Sequence, residues 1–414
     1  MDSPCRRAID ELHMVHLALL LAIFSLTLAS AVAIGPSAHL VTPARVGMAA
    51  ERLVFLDEVL QKAVEEGEIP GGVALVARYG KTVYRKAFGL RVVPPQSEKM
   101  TVDTIFDVAS LTKVMATAPA IMVLVEEGKV ALTDPVNNYL PRFSSGEEKG
   151  AVTVGHLLTH YSGLRPHFDL DEQWQGYETG IRKAEQEEPV VPPGQHFIYS
   201  DINYILLAEI VREISGQFLD AFAAERIFRP LGMQDTRFFP DRSQLPRLAP
   251  TANREGRMLR GQVHDPTAHK MGGRAGHAGL FSTVDDTATF AQMILNGGTH
   301  RLARILSPLT ILAMTTPQSP PGKPDWRGFG FDIRSPFSTS RGDLFPVGSF
   351  GHTGFTGTSL WIDPFSQTVV ILFTNRLHPD GQGNVVSLRK RVASVVASAL
   401  IEAPIDRESL TDQY

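Results

Sequence analysis

The chain has 414 residues, 43% of them hydrophobic and 20% charged, the balance of an ordinary globular protein. A formal charge of −4, with no basic run interleaved with aromatics, excludes an electrostatic nucleic-acid surface. The single cysteine, Cys5, excludes a disulfide framework and, lying inside the expected leader, a thiol nucleophile in the mature protein.

Val15 to Ala33 is almost wholly apolar and ends in Ala31-Val32-Ala33, the small-residue pattern of an export signal over residues 1–33. The run is also just long enough to span a bilayer, so a retained anchor is the alternative. The expected location is periplasmic or extracellular, with membrane attachment only if the segment stays on. Residues 34–48 read as a linker, and a helix is expected over Ala49–Glu66, stopped by Gly67 and Pro70. Val73–Ala77 reads as a buried strand, Gly80-Lys81 as a tight turn and Thr82–Phe88 as the returning strand. An apolar helical pattern, Val114, Met115, Ala118, Ile121, Met122 and Val125, begins at Ser110 and ends at Glu126-Glu127-Gly128. Tyr199-Ser200-Asp201 follows Pro192-Pro193-Gly194 and opens the next helical pattern, Ile205 to Ile214. Pro317 to Ser349 is dense in Pro, Gly and Ser and reads as a connection back to a sheet. Thr358–Ile362 and Thr368–Thr374 form a strand pair around Asp363-Pro364, followed by a helix over Asn384–Ile401 and a tail, 403–414.

Strand-rich ends and a helix-rich middle predict an α/β fold. A mixed, mainly antiparallel sheet would be flanked by the terminal helices, with a helical region packed on it. One catalytic domain spans residues 49–402, its sheet region being 49–105 and 325–402 and its helical region 106–324.

Ser110 and Lys113 are the residues most suggestive of chemistry. At i and i+3 they share one helix face, so the lysine amine lies beside the serine hydroxyl. A serine is a poor nucleophile until a neighbour takes its proton. Bland readings exist for each residue: Ser110 as a helix N-cap, Lys113 as a solvated lysine, Tyr199 as a half-buried tyrosine, Asp201 as the N-cap of the following helix. The histidines have loosely metal-like spacings, His156 with His160, and His264-Asp265 with His269 and His277. Leu157 stands where a zincin glutamate would be, so these read as hydrogen-bonded structural histidines and no metal is expected. Gly272-Gly273 and Gly276 lack the strand-to-helix context of a nucleotide site, and Gly-x-Ser-x-Gly is absent.

Five ordered stretches resemble the class C β-lactamase superfamily, which includes penicillin-binding carboxypeptidases and β-lactamase-like esterases. They are Phe106-Asp107-Val108-Ala109-Ser110-Leu111-Thr112-Lys113, His156-Leu157-Leu158-Thr159-His160-Tyr161-Ser162-Gly163-Leu164, Tyr199-Ser200-Asp201, Gly276-His277-Ala278-Gly279-Leu280-Phe281-Ser282 and His352-Thr353-Gly354. The resemblance implies a β-lactamase/transpeptidase-like fold with its site between sheet and helical region. It implies a serine acyl hydrolase that cleaves an ester or amide of a small molecule or peptide through a covalent acyl-enzyme, without a cofactor. Ser110 would be the nucleophile, Lys113 the activating or proton-relaying amine, and Tyr199 the second acid/base group. The backbone N–H groups of Ser110 and Phe355 would form the oxyanion hole. Asp201 would orient Lys113 or Tyr199, His352 and Thr353 would bind a substrate carbonyl or carboxylate, and Gly354 would let substrate backbone approach closely.

Two departures shape the expected substrate. Asp201 stands where the family's β-lactamases usually carry an asparagine, and an ionised carboxylate only accepts hydrogen bonds. His352 replaces a lysine and is charged only in part near neutrality. Both favour an esterase-like or D-amino-acid peptidase-like activity over a class C-type β-lactamase. A penicillin-binding or sensory domain that acylates without turnover is the non-catalytic alternative.

Overall fold

The structure, a computed structural model, describes residues 40–144 and 147–402. The expected leader, 1–33, and tail, 403–414, lie outside the described residues. Among the described residues no helix is long and apolar enough to cross a membrane.

Helix α1 (Ala50–Glu65) leads into the hairpin β1 (Gly71–Arg78) and β2 (Lys81–Val92), with the short β3 (Glu98–Lys99) beyond it. The helical middle contributes α2 (Ala118–Glu126), α3 (Val154–Thr159), α4 (Asp201–Ser215) and α5 (Val284–Leu295), among others. The chain then returns through β4 (Trp326–Arg327), β5 (Asp332–Arg334), β6 (Phe350–Thr353), β7 (Ser359–Asp363) and β8 (Thr368–Thr374) to helix α6 (Val386–Ser398). These strands form one eight-stranded sheet in the order β4-β5-β6-β7-β8-β1-β2-β3. The sheet expected to be mainly antiparallel is antiparallel in every pairing. β1 and β8, from opposite ends of the chain, are neighbours, with Leu75 opposite Ile371.

Side chains on a strand alternate between the two faces, and the central strands bury both. Val73, Leu75 and Ala77 of β1 join Val369, Ile371 and Phe373 of β8 in the core shared with the helical middle. Ala74 and Val76 join Val370, Leu372 and Trp361 under α1 and α6. A strand apolar on both faces reads as a continuous hydrophobic run, which is why both were visible in the sequence.

One expectation needs correction and one gains detail. Residues 40–48 are packed, not a free linker: Val46 and Met48 are buried, Met48 bridges to Leu400, and the Arg78 guanidinium donates to the Val46 and Gly47 carbonyls. The Pro-, Gly- and Ser-rich stretch 317–349 holds two short sheet strands, β4 and β5, and a turn of 3₁₀ helix at Ser338–Arg341. Strands of two or three residues are too short for a period-two pattern to register.

Candidate active site

The segment before Ser110 is held in an unusual shape. Ala109 has φ = 47°, the left-handed region an alanine seldom occupies. Asp107 Oδ1 accepts from the Ala109 N–H (2.9 Å), and the Thr112 hydroxyl donates to the Ala109 carbonyl (2.6 Å). Such strain persists where the surroundings over-determine it. Ser110 stands immediately before the helix and lines a cavity of about 150 Å³ with Tyr199, Arg327, Asp332, Phe337, His352, Thr353 and Phe355.

The helix that follows is not the uniform α-helix the sequence suggests. Lys113–Thr117 form one π-turn, closed by the Ala118 N–H on the Lys113 carbonyl. Pro119, which has no N–H, comes just after it, and the wider turn absorbs the missing bond. Lys113 Nζ lies 2.8 Å from Ser110 Oγ, 2.7 Å from Asp201 Oδ1 and 3.0 Å from the His277 carbonyl. Its side chain is fully buried. Burial by itself disfavours the ammonium, but the Asp201 charge and then Tyr199 more than offset it, and the Lys113 pKa is raised above its usual value. Lys113 is therefore a cation in the free protein.

Tyr199 is the third member. Its ring lies between His160 (centroids 4.4 Å apart) and Phe337 (4.9 Å), and Lys113 Nζ is 5.0 Å from its centroid. Ser200 precedes α4 and Asp201 is its first residue, so Asp201 is not the N-cap; its carboxylate is spent on Lys113.

The turn after β6 completes the site. By strand alternation His352 shares the face of Phe350, which packs in the helical-side core. His352 Nδ1 bonds the Thr353 carbonyl at 2.9 Å. Burial first, then Arg327 and Lys113, lowers the His352 pKa well below its usual value. This corrects the expectation of a partly charged histidine: His352 is a neutral group in the wall of the cavity. Gly354 has a structural reason of its own. A Cβ there would lie 2.1 Å from Thr358 Oγ1 and 2.4 Å from the Val108 carbonyl, so its glycine is required by the protein's own backbone. Among the described residues neither the Ser110 nor the Phe355 N–H donates to a protein acceptor, leaving two unspent backbone donors beside the cavity. The Phe355 ring is 64% exposed and stacks on His264.

Several groups were not assigned from sequence. His160 adopts φ = 61° at the end of α3, accepts the Ser200 N–H on Nδ1 (3.0 Å), and is kept neutral, by burial first and then by Arg327 and Lys113. It thereby fixes the Tyr199-Ser200-Asp201 segment from behind. His156, four residues earlier, closes a capping box with Thr153 instead. Arg327 and Asp332 form a buried ion pair (3.2 Å) in the cavity wall. Asp265 accepts from His277 Nε2 (2.7 Å) and from the Ala268 N–H (2.7 Å). Burial opposes this charge, yet His277 holds the Asp265 carboxyl well below the usual range. Asp201, Asp265 and His277 bring donor atoms within 4.8 Å of one another. With the Lys113 ammonium on Asp201 and Asp265 already accepting two bonds, the group reads as charge balance around the lysine.

A beta-lactamase family model matches residues 56–393. The chain is 32% identical over 381 residues to a protein of Escherichia coli strain K12 named "Putative D-alanyl-D-alanine carboxypeptidase", covering 81% of this chain and 85% of that one. An octameric penicillin-binding protein homologue from Pyrococcus abyssi superposes with a TM-score of 0.67 at 27% identity, over 86% of this chain and 78% of that one. EstCE1, a hydrolase with promiscuous acyltransferase activity, shares the fold with a TM-score of 0.68 at 22% identity, over 84% of this chain and 99% of that one.

Proposed function

The chain belongs to the beta-lactamase family and is a serine hydrolase, and from that premise we propose that Ser110 is its nucleophile and a peptide with a carboxyl-terminal D-amino acid its substrate. The observation that carries this reading is the buried Lys113 ammonium, 2.8 Å from Ser110 Oγ and paired with Asp201. A cation there stabilises the serine oxygen as it loses its proton. Because Lys113 is already protonated, the base in this reading is Tyr199 acting as a phenolate, whose negative charge the Lys113 ammonium balances. Ser110 Oγ attacks the scissile carbonyl as its proton passes to Tyr199. The unspent N–H groups of Ser110 and Phe355 take the negative oxygen. Tyr199 then protonates the departing amine, and water, activated in the reverse sense, releases the acyl group.

The carboxypeptidase name of the Escherichia coli relative supports the substrate class. Ester hydrolysis is a second reading, favoured by the aromatic lining of Tyr199, Phe337 and Phe355. Export through the apolar run Val15–Ala33 belongs to the same proposal; recovery of the protein from the periplasm with residues 1–33 removed tests it.

The decisive experiment is release of D-alanine from a D-alanyl-D-alanine peptide, with p-nitrophenyl esters and a cephalosporin alongside. Ser110→Ala should abolish turnover and remove the adduct formed with a serine-directed phosphonate. Full activity in that variant overturns the assignment, and turnover of esters alone replaces the peptidase reading with the esterase one.

A further inference from the structure

Helix α6 reaches the turn after β6 through the buried Arg389. Arg389, on α6, is buried to 8% exposure. One of its nitrogens, Nη2, donates to the carbonyls of Gly354 and Thr358, each at 2.7 Å. Among the described residues no carboxylate offsets its charge; burial first, then the nearby Arg376, pushes its guanidinium below the usual range. A buried cation without a counter-ion is costly. Here its hydrogen bonds go to the two carbonyls that close the turn after β6.

One of those carbonyls matters chemically. The Gly354 C=O and the Phe355 N–H are two ends of one amide, conjugated through its partial double bond. A cation on the oxygen draws electron density along that bond and makes the N–H a stronger donor. Hydrogen bonds in series strengthen one another in this way, and charge-assisted ones more so. The same amide is fixed geometrically. The Gly357 N–H also donates to the Gly354 carbonyl (3.1 Å), the Gly354 N–H donates to the Thr358 carbonyl (2.7 Å), and Arg376 Nε donates to the Phe355 carbonyl (2.7 Å).

We infer that Arg389 is a positioning residue of the oxyanion hole, which polarises and aims the Phe355 N–H through the Gly354 carbonyl. It touches no substrate. The inference rests on the proposed role of the Phe355 N–H and adds to it an electrostatic source on α6.

The test compares Arg389→Lys, Arg389→Gln and Arg389→Ala, each shown to be folded by circular dichroism. The readouts are steady-state turnover of a p-nitrophenyl ester and affinity for a boronic acid, which forms a tetrahedral adduct on the serine. The expected result for Arg389→Ala is a fall in kcat of about tenfold or more, with KM changed no more than about twofold and boronate affinity falling in parallel. Arg389→Lys, which keeps the cation, recovers part of the loss. If Arg389→Ala does not fold, Arg389→Gln and Arg389→Lys carry the same comparison. Unchanged kcat and boronate affinity in a folded variant overturn the inference. So does a loss confined to KM for anionic substrates, which would make Arg389 a substrate contact. Ser110→Ala in the same series separates the two levels. Activity that survives there sinks the active-site reading, whereas Ser110-dependent activity indifferent to Arg389 sinks this inference alone.

Discussion

The Thr356 hydroxyl donates to the Asp107 carbonyl across 2.7 Å, stapling the turn after β6 to the segment that leads into Ser110. Thr358, two residues further on, repeats the staple, donating to the Val108 carbonyl at 3.1 Å. The two segments that carry the unspent N–H groups of Ser110 and Phe355 are thus tied to each other directly. Thr356→Val removes the hydroxyl and leaves a buried carbonyl unsatisfied. It should cost about 1–3 kcal/mol of stability, read as a lower denaturation midpoint, and lower kcat more than it raises KM.

Gly354→Ala should be more damaging. Its Cβ would meet Thr358 Oγ1 and the Val108 carbonyl, neither of which can retreat without opening the turn. Overpacking of this kind costs about 1–3 kcal/mol, and the displaced Phe355 N–H should take most of the turnover with it. Turnover close to that of the parent protein would show that the turn is more pliant than these contacts imply.

Asp201 is the counter-charge of Lys113, which has no exposure of its own. Removing one partner of a buried pair strands the other, at about 3–5 kcal/mol. Asp201→Ala should therefore lower the melting temperature, and Lys113→Met, Asp201→Ala together should recover part of the loss. Asp201 raises the Lys113 pKa. Without it the ammonium loses its proton at lower pH, so the alkaline limb of the kcat profile should move toward neutrality. An unmoved limb would separate that limb from Lys113.

His352 and His160 supply a pH prediction whose sign follows from burial. Both have folded-state pKa values well below the usual one, so the unfolded chain takes up their protons first. Their contribution to stability is fully present above about pH 6.5 and is lost as the pH falls below it toward the folded values. Asp107, raised to about 6 chiefly by burial, acts in the opposite sense. His352→Asn should flatten the acid side of the stability profile. KM for an anionic peptide should show no step near pH 6.5; a step abolished by His352→Asn would return this residue to a charged, substrate-binding role.

What could be read from the sequence divides along physical lines. The hydrophobic runs of β1 and β8 show in any window, because both faces of those strands are buried. Ser110 and Lys113 stand out because their i, i+3 spacing is local, whereas Tyr199 is marked only by the resemblance of Tyr199-Ser200-Asp201 to a family motif. Asp265 with His277, His160 behind Ser200, and Arg389 on the Gly354 carbonyl are long-range pairings. No periodicity marks them, and Arg389 looks in sequence like any arginine of an amphipathic helix. The π-turn at Lys113 escaped for a similar reason, since only Pro119 hinted that the helix register had to slip.

The pairing of β1 with β8 has a consequence for how the molecule comes into being. Gly71–Arg78 finds its partner only in Thr368–Thr374, nearly three hundred residues later. The chain must therefore keep one edge of an apolar hairpin unsatisfied until that segment has been made, the kind of distant closure that makes folding slow and intermediates adhesive. A nascent polypeptide halted after the helical middle already carries its serine, lysine and tyrosine, yet lacks the turn that would receive the oxyanion. The proposed oxyanion site is thus complete only once β6 and the turn after it have been made.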